Sequence, residues 1–285
     1  MICSNFLMKM VMKQLTCKSF AKLNLCLHVV NRRSDGYHDI QGIFHVIDLH
    51  DTIIFKMNES GNTNLHTGDK NLLNNDNLIY KACRMLSQKY NLKIGMDITL
   101  QKRIPIGSGL GGGSSNAAVT LHAINKLYNI QLSIDELLTL ADQLGSDVPF
   151  FIDGGTAYVS GKGDIVKKVS ANPKFYVLIF PGISISTKYM FEIISKGTFC
   201  KPQKLPGLLE SEYNSFEEVV LNTYPELIQT KYWLSSFGKV RMSGTGSTLY
   251  IEFDSYESAI EANKEIGNRY RSKMVSSLES YDIFS

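Results

Sequence analysis

Between residues 107 and 113 the chain reads Gly-Ser-Gly-Leu-Gly-Gly-Gly, and this stretch constrains the fold more than any other. It follows a strand-like run that ends at Pro105 and passes directly into a segment where Ala117, Leu121, Ile124 and Tyr128 recur at helical spacing. Glycine reaches positive φ at little cost and puts no Cβ between backbone N–H groups and a ligand. A helix start adds unpaired donors and the positive end of its dipole, which together favour phosphate. Ser114 and Ser115 add hydroxyls at the same end.

Three other readings compete for the loop. A flexible glycine linker seldom runs straight into an amphipathic helix. Gly107, Gly109 and Gly112 satisfy the G-x-G-x-x-G dinucleotide fingerprint, which would make the chain an NAD-dependent oxidoreductase. That fingerprint wants an acidic residue closing the next strand about 20 residues on, whereas Asp135 and Glu136 stand at a helix start. A Walker A loop needs lysine where Gly113 stands.

At 285 residues and 44% hydrophobic content the chain can fill a sizeable core in one large or two ordinary domains. Its 30 Lys and Arg nearly balance 27 Asp and Glu, so no strong field favours nucleic acid over a compact anionic metabolite. The five cysteines (Cys3, Cys17, Cys26, Cys83 and Cys200) show no C-x-x-C pair and no metal-ligand spacing with histidine, as expected of a reducing cytoplasm. No apolar run approaches the roughly 20 residues that span a bilayer, so no membrane association is expected. Met1 to Leu15 carries Lys9 and Lys13 in a broken apolar stretch without a signal-peptide cleavage site, and Met8, Met10 or Met12 are alternative starts.

Along the chain, Ala21, Leu23, Leu25, Leu27 and Val29 alternate with Lys22, Asn24 and His28, the period of a half-buried strand with Lys22 and Asn24 on one face. Asp35-Gly36 reads as a turn, and 51–55 and 96–100 as strands. Asp76 is the expected cap of a helix bearing Leu78, Ile79, Ala82, Met85 and Leu86, and Ser133 with Glu136 forms a capping box for a helix reaching Leu144. Gly145 stands where that helix should stop. The second half reads as a strand over 175–180, helices from Thr187 and Asn214, strands over 239–242 and 249–253, a helix from Ser255 and a strand over 273–277. This is a split β-α-β order, with a boundary near Lys168.

The run Pro105-Ile-Gly-Ser-Gly-Leu-Gly-Gly-Gly-Ser-Ser-Asn-Ala-Ala118 resembles the ATP-binding motif of the galactokinase, homoserine kinase, mevalonate kinase and phosphomevalonate kinase (GHMP) superfamily. Ala21-Lys-Leu-Asn-Leu25 resembles its first motif and Met242-Ser-Gly-Thr-Gly-Ser247 its third, in the same order. Leu110-Gly-Gly-Gly-Ser-Ser, Arg33-Ser-Asp-Gly-Tyr-His38 and Gly145-Ser-Asp-Val-Pro149 are together similar to the branch that phosphorylates a cytidine-diphosphate-linked methylerythritol in non-mevalonate isoprenoid synthesis. The resemblance runs from about Thr16 almost to the C-terminus. It implies a two-domain α+β GHMP kinase fold: an N-terminal domain (13–168) with a left-handed β-α-β crossover and a ferredoxin-like C-terminal domain (169–285).

The resemblance further implies that ATP lies on Pro105, Ile106, Gly107, Ser108, Gly109, Leu110, Gly111, Gly112, Gly113, Ser114 and Ser115, with the small-molecule substrate in the cleft between the domains. Asp147 would accept the proton of the substrate hydroxyl, and Lys22 would hold Asp147 ionised while stabilising phosphate charge. Local sequence alone reads Asp147 equally well as a helix cap before Val148-Pro149, and Lys22 as a solvated strand lysine. Tyr37 and His38 would meet the cytosine, with Phe191 as an opposing aromatic and Asn24 near the substrate. On local grounds Tyr37 and His38 simply follow a turn and Phe191 belongs to a helix core. Mg²⁺ is expected with ATP, with Ser114 or Ser115 as a possible ligand and no dedicated acidic metal cage. The expected assembly is a monomer or weak homodimer.

Overall fold

Gln14–Arg32 (β1) and His38–Met57 (β2) form a long antiparallel hairpin whose two strands are the spine of the first sheet. In the computed structural model, which describes residues 13–284, β2 pairs along its other edge with both Met96–Gln101 (β4) and Thr156–Gly161 (β5). Thr63–Thr67 (β3) lies parallel to β4, and Ile165–Lys168 (β6) closes the far end against β5. The stretch expected as a strand over 51–55 is thus the end of a far longer one, because Ile43, Phe44, Val46 and Ile47 continue the buried pattern upstream. The possible starts at Met8, Met10 and Met12 lie outside the described residues.

Four helices pack on this sheet: Leu78–Lys89 (α1), Gly112–Leu127 (α2), Ile134–Leu144 (α3) and Phe150–Asp153 (α4). The cap of α1 is Asn77, whose side chain accepts from the Ile79 N–H, and not Asp76, which instead reaches Lys81 at 3.2 Å in solvent. The residue next to the helix wins, because a cap must reach the N–H two or three positions on. The Ser133–Glu136 capping box forms as expected, and α3 ends before Gly145. Helix α2 is buried nearly all round, since Ala117, Ala118 and Ala123 let β1, α1, α3 and α4 close on it.

The second sheet holds Phe175–Phe180 (β7), Val240–Met242 (β8), Leu249–Phe253 (β9) and Arg271–Ser276 (β10) in the order β10-β7-β9-β8, all antiparallel. With Thr187–Ile194 (α5), Leu205–Leu209 (α6), Glu217–Thr223 (α7) and Glu226–Leu234 (α8) after β7, and Tyr256–Gly267 (α9) after β9, this is a ferredoxin-like split β-α-β unit. The helix expected from Asn214 is two helices, because Pro225 has no N–H to continue α7.

A cluster drawn from both sheets joins the two halves: Leu23 and Ile47 from the hairpin meet Tyr176, Leu178, Tyr250 and Val275. Ile104 and Leu110, which flank the glycine loop, belong to the same cluster. Strand β1 is therefore buried on both faces, contrary to the half-buried reading, and Lys22, Asn24 and His28 are each under 4% exposed. The alternation was legible, but the second covering layer comes from residues more than half the chain away.

Candidate active site

The loop from Pro105 to Gly113 turns back over the first residues of α2, with φ near +64°, +76° and +71° at Gly107, Gly109 and Gly111. Gly111 caps α2 in the left-handed conformation and puts no side chain of its own at the helix N-terminus. Leu110 anchors the loop in the inter-sheet core, and the Lys22 N–H donates to the Leu110 carbonyl at 3.0 Å. At Gly109 the backbone runs against the second glycine turn: a Cβ there would overlap the Ser243 carbonyl, and the Ser243 hydroxyl donates to the Gly109 carbonyl at 3.0 Å. The Thr248 N–H donates to the Ser108 carbonyl at 3.3 Å. Two motifs far apart in sequence thus form one two-layered cradle.

Behind the cradle, Asp51 is fully buried and accepts from the N–H groups of Arg103 (2.7 Å) and Ile104 (2.9 Å) and from the Asn116 side chain (2.9 Å). Its other strong partner is the Lys102 ammonium, which also lines the cleft. Asp51 holds the approach to the loop, and Lys102 brings a cation to its edge. Sequence reasoning missed both. A lysine three residues before Pro105 was visible, but only the fold brings Asp51 to it.

Lys22 and Asn24 share one face of β1, as their spacing predicts, and the Lys22 ammonium donates to Asn24 Oδ1. Lys22 Nζ also lies 3.8 Å from Asp147 Oδ2 and 5.0 Å from the centre of the Phe44 ring. Burial pushes the Lys22 pKa below its usual range, while the negative Asp147 works in the opposite direction. Asp147 makes no capping bond to α4, whose cap position is taken by Pro149. Its carboxylate is one-third exposed and faces the cleft.

Farther along the cleft, His38 lies 4.9 Å from the Phe191 ring, and Phe191 in turn packs edge-on to Phe216 at 4.7 Å. Phe191, partly buried, thus packs against the core from α5 and forms a wall of the cleft. Tyr37 is half exposed at the rim, with the Lys162 ammonium 5.3 Å above its ring and tied to Asp142. Lys162, Arg32 and Thr187, which the sequence did not single out, also line the cleft. Thr187 is held to Thr245 of the second glycine turn at 3.0 Å.

One cleft of about 1110 Å³ collects Lys22, Asn24, Tyr37, His38, Asp147, Phe191 and the loop from Pro105 to Ser114. Ser115 stands apart from this set. It is buried, and its hydroxyl accepts from Ser19 at 2.8 Å, off the cleft and behind the helix. Ser108 lines the cleft but spends its proton on the Pro105 carbonyl at 2.7 Å. Among the described residues no three His, Cys, Asp or Glu side chains converge as metal ligands. No helix among them is long and apolar enough to cross a membrane. The dinucleotide reading fails on topology, because α2 leads into α3 and no strand bearing a ribose-binding acid follows.

A glycine cradle at a helix N-terminus, a buried lysine paired with a cleft-facing aspartate beside it and a ferredoxin-like second domain define a GHMP-type phosphotransferase. The GHMP kinases N-terminal domain model matches residues 77–155, and the GHMP kinases C-terminal model matches residues 203–272. The 4-diphosphocytidyl-2-C-methyl-D-erythritol kinase of Pasteurella multocida is 40% identical over 251 residues, 88% of this chain and 85% of that protein. Its counterpart in Francisella tularensis subsp. novicida is 42% identical over 82% of this chain and 85% of that protein. A crystal structure of 4-(cytidine 5'-diphospho)-2C-methyl-D-erythritol kinase superposes with a TM-score of 0.79 at 30% identity, covering 92% of this chain and 99% of that one. The homoserine kinase of Cytophaga hutchinsonii, at 20% identity and a TM-score of 0.68, shares the fold. The chain belongs to the GHMP kinase family, in its 4-diphosphocytidyl-2-C-methyl-D-erythritol kinase branch.

Proposed function

We propose that the chain transfers the γ-phosphoryl group of ATP to the 2-hydroxyl of 4-diphosphocytidyl-2-C-methyl-D-erythritol. The observation that carries this is that the Lys22–Asp147 pair, the glycine cradle and the aromatic corner of His38 and Phe191 line one cleft. The nucleotide triphosphate lies with its phosphates over Gly107 to Gly113, where left-handed glycines and the α2 N-terminus present N–H donors. Lys102 and Lys22 flank it from two sides, each already oriented by a neighbour, Asp51 and Asn24. Charge stabilisation and positioning are the main demands of phosphoryl transfer, and both are built into this site.

Asp147 accepts the proton of the substrate hydroxyl as the oxygen attacks Pγ, and ADP departs as the bond from Pγ to the bridging oxygen breaks. The 3.8 Å gap from Lys22 to Asp147 exceeds a hydrogen bond, so the carboxylate oxygen stays free to take that proton. Lys22 keeps one N–H on Asn24 and has others left for phosphate oxygen. Ser114, partly exposed in the first turn of α2, is a hydroxyl oxygen of the kind Mg²⁺ takes alongside phosphates and water, whereas Ser115 is committed to Ser19. Bound there, Mg²⁺ would neutralise phosphate charge. At the other end the cytosine stacks between Tyr37 and Phe191 with His38 at its edge.

Release of ADP from ATP on addition of 4-diphosphocytidyl-2-C-methyl-D-erythritol tests the proposal. A folded protein inactive on it but active on mevalonate or homoserine overturns the substrate and keeps the class.

A further inference from the structure

His38 opens β2 with its ring mostly buried but lining the cleft. Its Nε2 lies 2.7 Å from Ser195 Oγ, and that same oxygen lies 2.6 Å from the Phe191 carbonyl one helical turn earlier. A serine hydroxyl carries one proton, and a carbonyl oxygen can only accept. The Ser195 proton therefore goes to Phe191, and Ser195 Oγ must accept from His38. Such an arrangement needs the ring proton on Nε2 and leaves Nδ1 with a bare lone pair. Among the described residues Nδ1 has no hydrogen-bond partner, and it is not one of the sealed, unpaired polar atoms. Burial, with Arg32 nearby, lowers the His38 pKa against the weaker pull of Asp39, so the ring is neutral at pH 7.

We propose that Ser195 is a positioning residue for base recognition: by holding the proton of His38 on Nε2 it makes Nδ1 an acceptor, which selects a pyrimidine with an exocyclic amine over one with a carbonyl there. Cytosine offers N–H donors at that edge. Uracil would set a carbonyl oxygen against the Nδ1 lone pair, leaving two acceptors face to face. Phe191 thus acts twice, its ring stacking beside His38 and its carbonyl setting the tautomer through Ser195. The inference rests on the cytidine substrate proposed above, and its test separates the two.

Two-bond proton–nitrogen NMR of the ligand-free protein reads the tautomer directly. The expected result is Nε2–H and bare Nδ1 on His38; a proton on Nδ1 overturns the inference whatever the substrate. Calorimetry with cytidine 5'-diphosphate and uridine 5'-diphosphate then reads selectivity without catalysis. The wild-type protein should prefer the cytidine ligand, and Ser195→Ala should lose about tenfold of that preference, the worth of one hydrogen bond in a desolvated pocket. Affinity for ATP should stay unchanged, and Ser195→Thr, which keeps the hydroxyl, should restore the preference. Equal affinity of the wild-type protein for the two ligands, or an undiminished preference in Ser195→Ala, overturns it. A preference for cytidine without turnover of the proposed substrate would uphold the relay and count against the substrate alone.

Discussion

Lys22 Nζ and Asp147 Oδ2 lie 3.8 Å apart, one from the middle of β1 and the other from the turn between α3 and α4. The lysine is buried and the carboxylate partly open, so their environments differ although their charges meet. A cation with one fixed neighbour beside a carboxylate facing the cleft is an arrangement suited to moving a proton while holding negative charge in place.

Replacing Asp147 with Asn keeps the shape and removes the proton acceptor. Turnover should fall by about 10²- to 10⁴-fold, the usual worth of a positioned base. The dissociation constant for ATP, measured by calorimetry, should change little, since the cradle is untouched. Unchanged turnover would reduce Asp147 to an ion-pair partner.

The pH profile tests Lys22. Because burial holds its pKa below the ordinary lysine value of 10.5, the ammonium loses its proton at a lower pH than a solvated lysine would. Activity at low ATP should therefore decline on the alkaline side before pH 10.5. In Lys22→Arg, whose guanidinium stays charged, that alkaline limb should vanish even where the rate itself is lower. An identical limb in both proteins would assign it to another group.

Gly109 and Gly113 stand four positions apart in one loop, yet they should respond in opposite ways to alanine. A Cβ on Gly109 would overlap the Ser243 carbonyl at a φ of +76°, whereas a Cβ on Gly113 meets nothing within 4 Å. Gly109→Ala should lower the melting temperature and weaken ATP binding together. Gly113→Ala lies in the first turn of α2 and should leave stability equal or raise it by up to about 1 kcal/mol, the helix preference of alanine over glycine. Thermal melts of the two variants decide.

Asp51→Ala should cost about 3–5 kcal/mol in urea unfolding, because it strands the Lys102 ammonium and two backbone N–H groups beside the loop. A loss below about 1 kcal/mol would mean that water replaces the carboxylate.

His45 is 1% exposed, both ring nitrogens lack hydrogen-bond partners among the described residues, and burial lowers its pKa from 6.5 to about 4. Between these values the unfolded chain binds a proton that the folded one refuses. Stability should therefore be full above pH 6.5 and fall as the pH drops toward 4, by up to about 3 kcal/mol from this group. His45→Phe should flatten that acid slope relative to the wild-type protein in urea titrations at several pH values. A parallel slope would place the acid sensitivity elsewhere.

Local rules read well wherever neighbours along the chain decide the outcome. The Ser133–Glu136 capping box and the helix start at Ser255 are set by interactions within a few residues, and both occur as expected. Asp76 went astray by one position because two adjacent cap residues compete and only the helix phase chooses Asn77. Strands β3, β5 and β6 were passed over, being short and strand-like only once β4, β2 and β5 respectively lie beside them. Ser114 and Ser115 were equivalent as letters, but α2 is sealed on the Ser115 side, so one hydroxyl lines the cleft and the other binds Ser19.

The sequence by itself determined that a phosphate cradle precedes a helix, and its three motifs in order determined the family, because glycine spacing and helix starts are local properties. Only the tertiary structure decided which charges meet. Lys22 is withdrawn from solvent by Phe44 and by Asp147 and the turn at Gly244, the last two more than a hundred residues away, and Asp51 reaches Lys102 only because β2 and β4 pair. Burial and charge proximity depend on the sum of long-range contacts, and no window of sequence contains that sum.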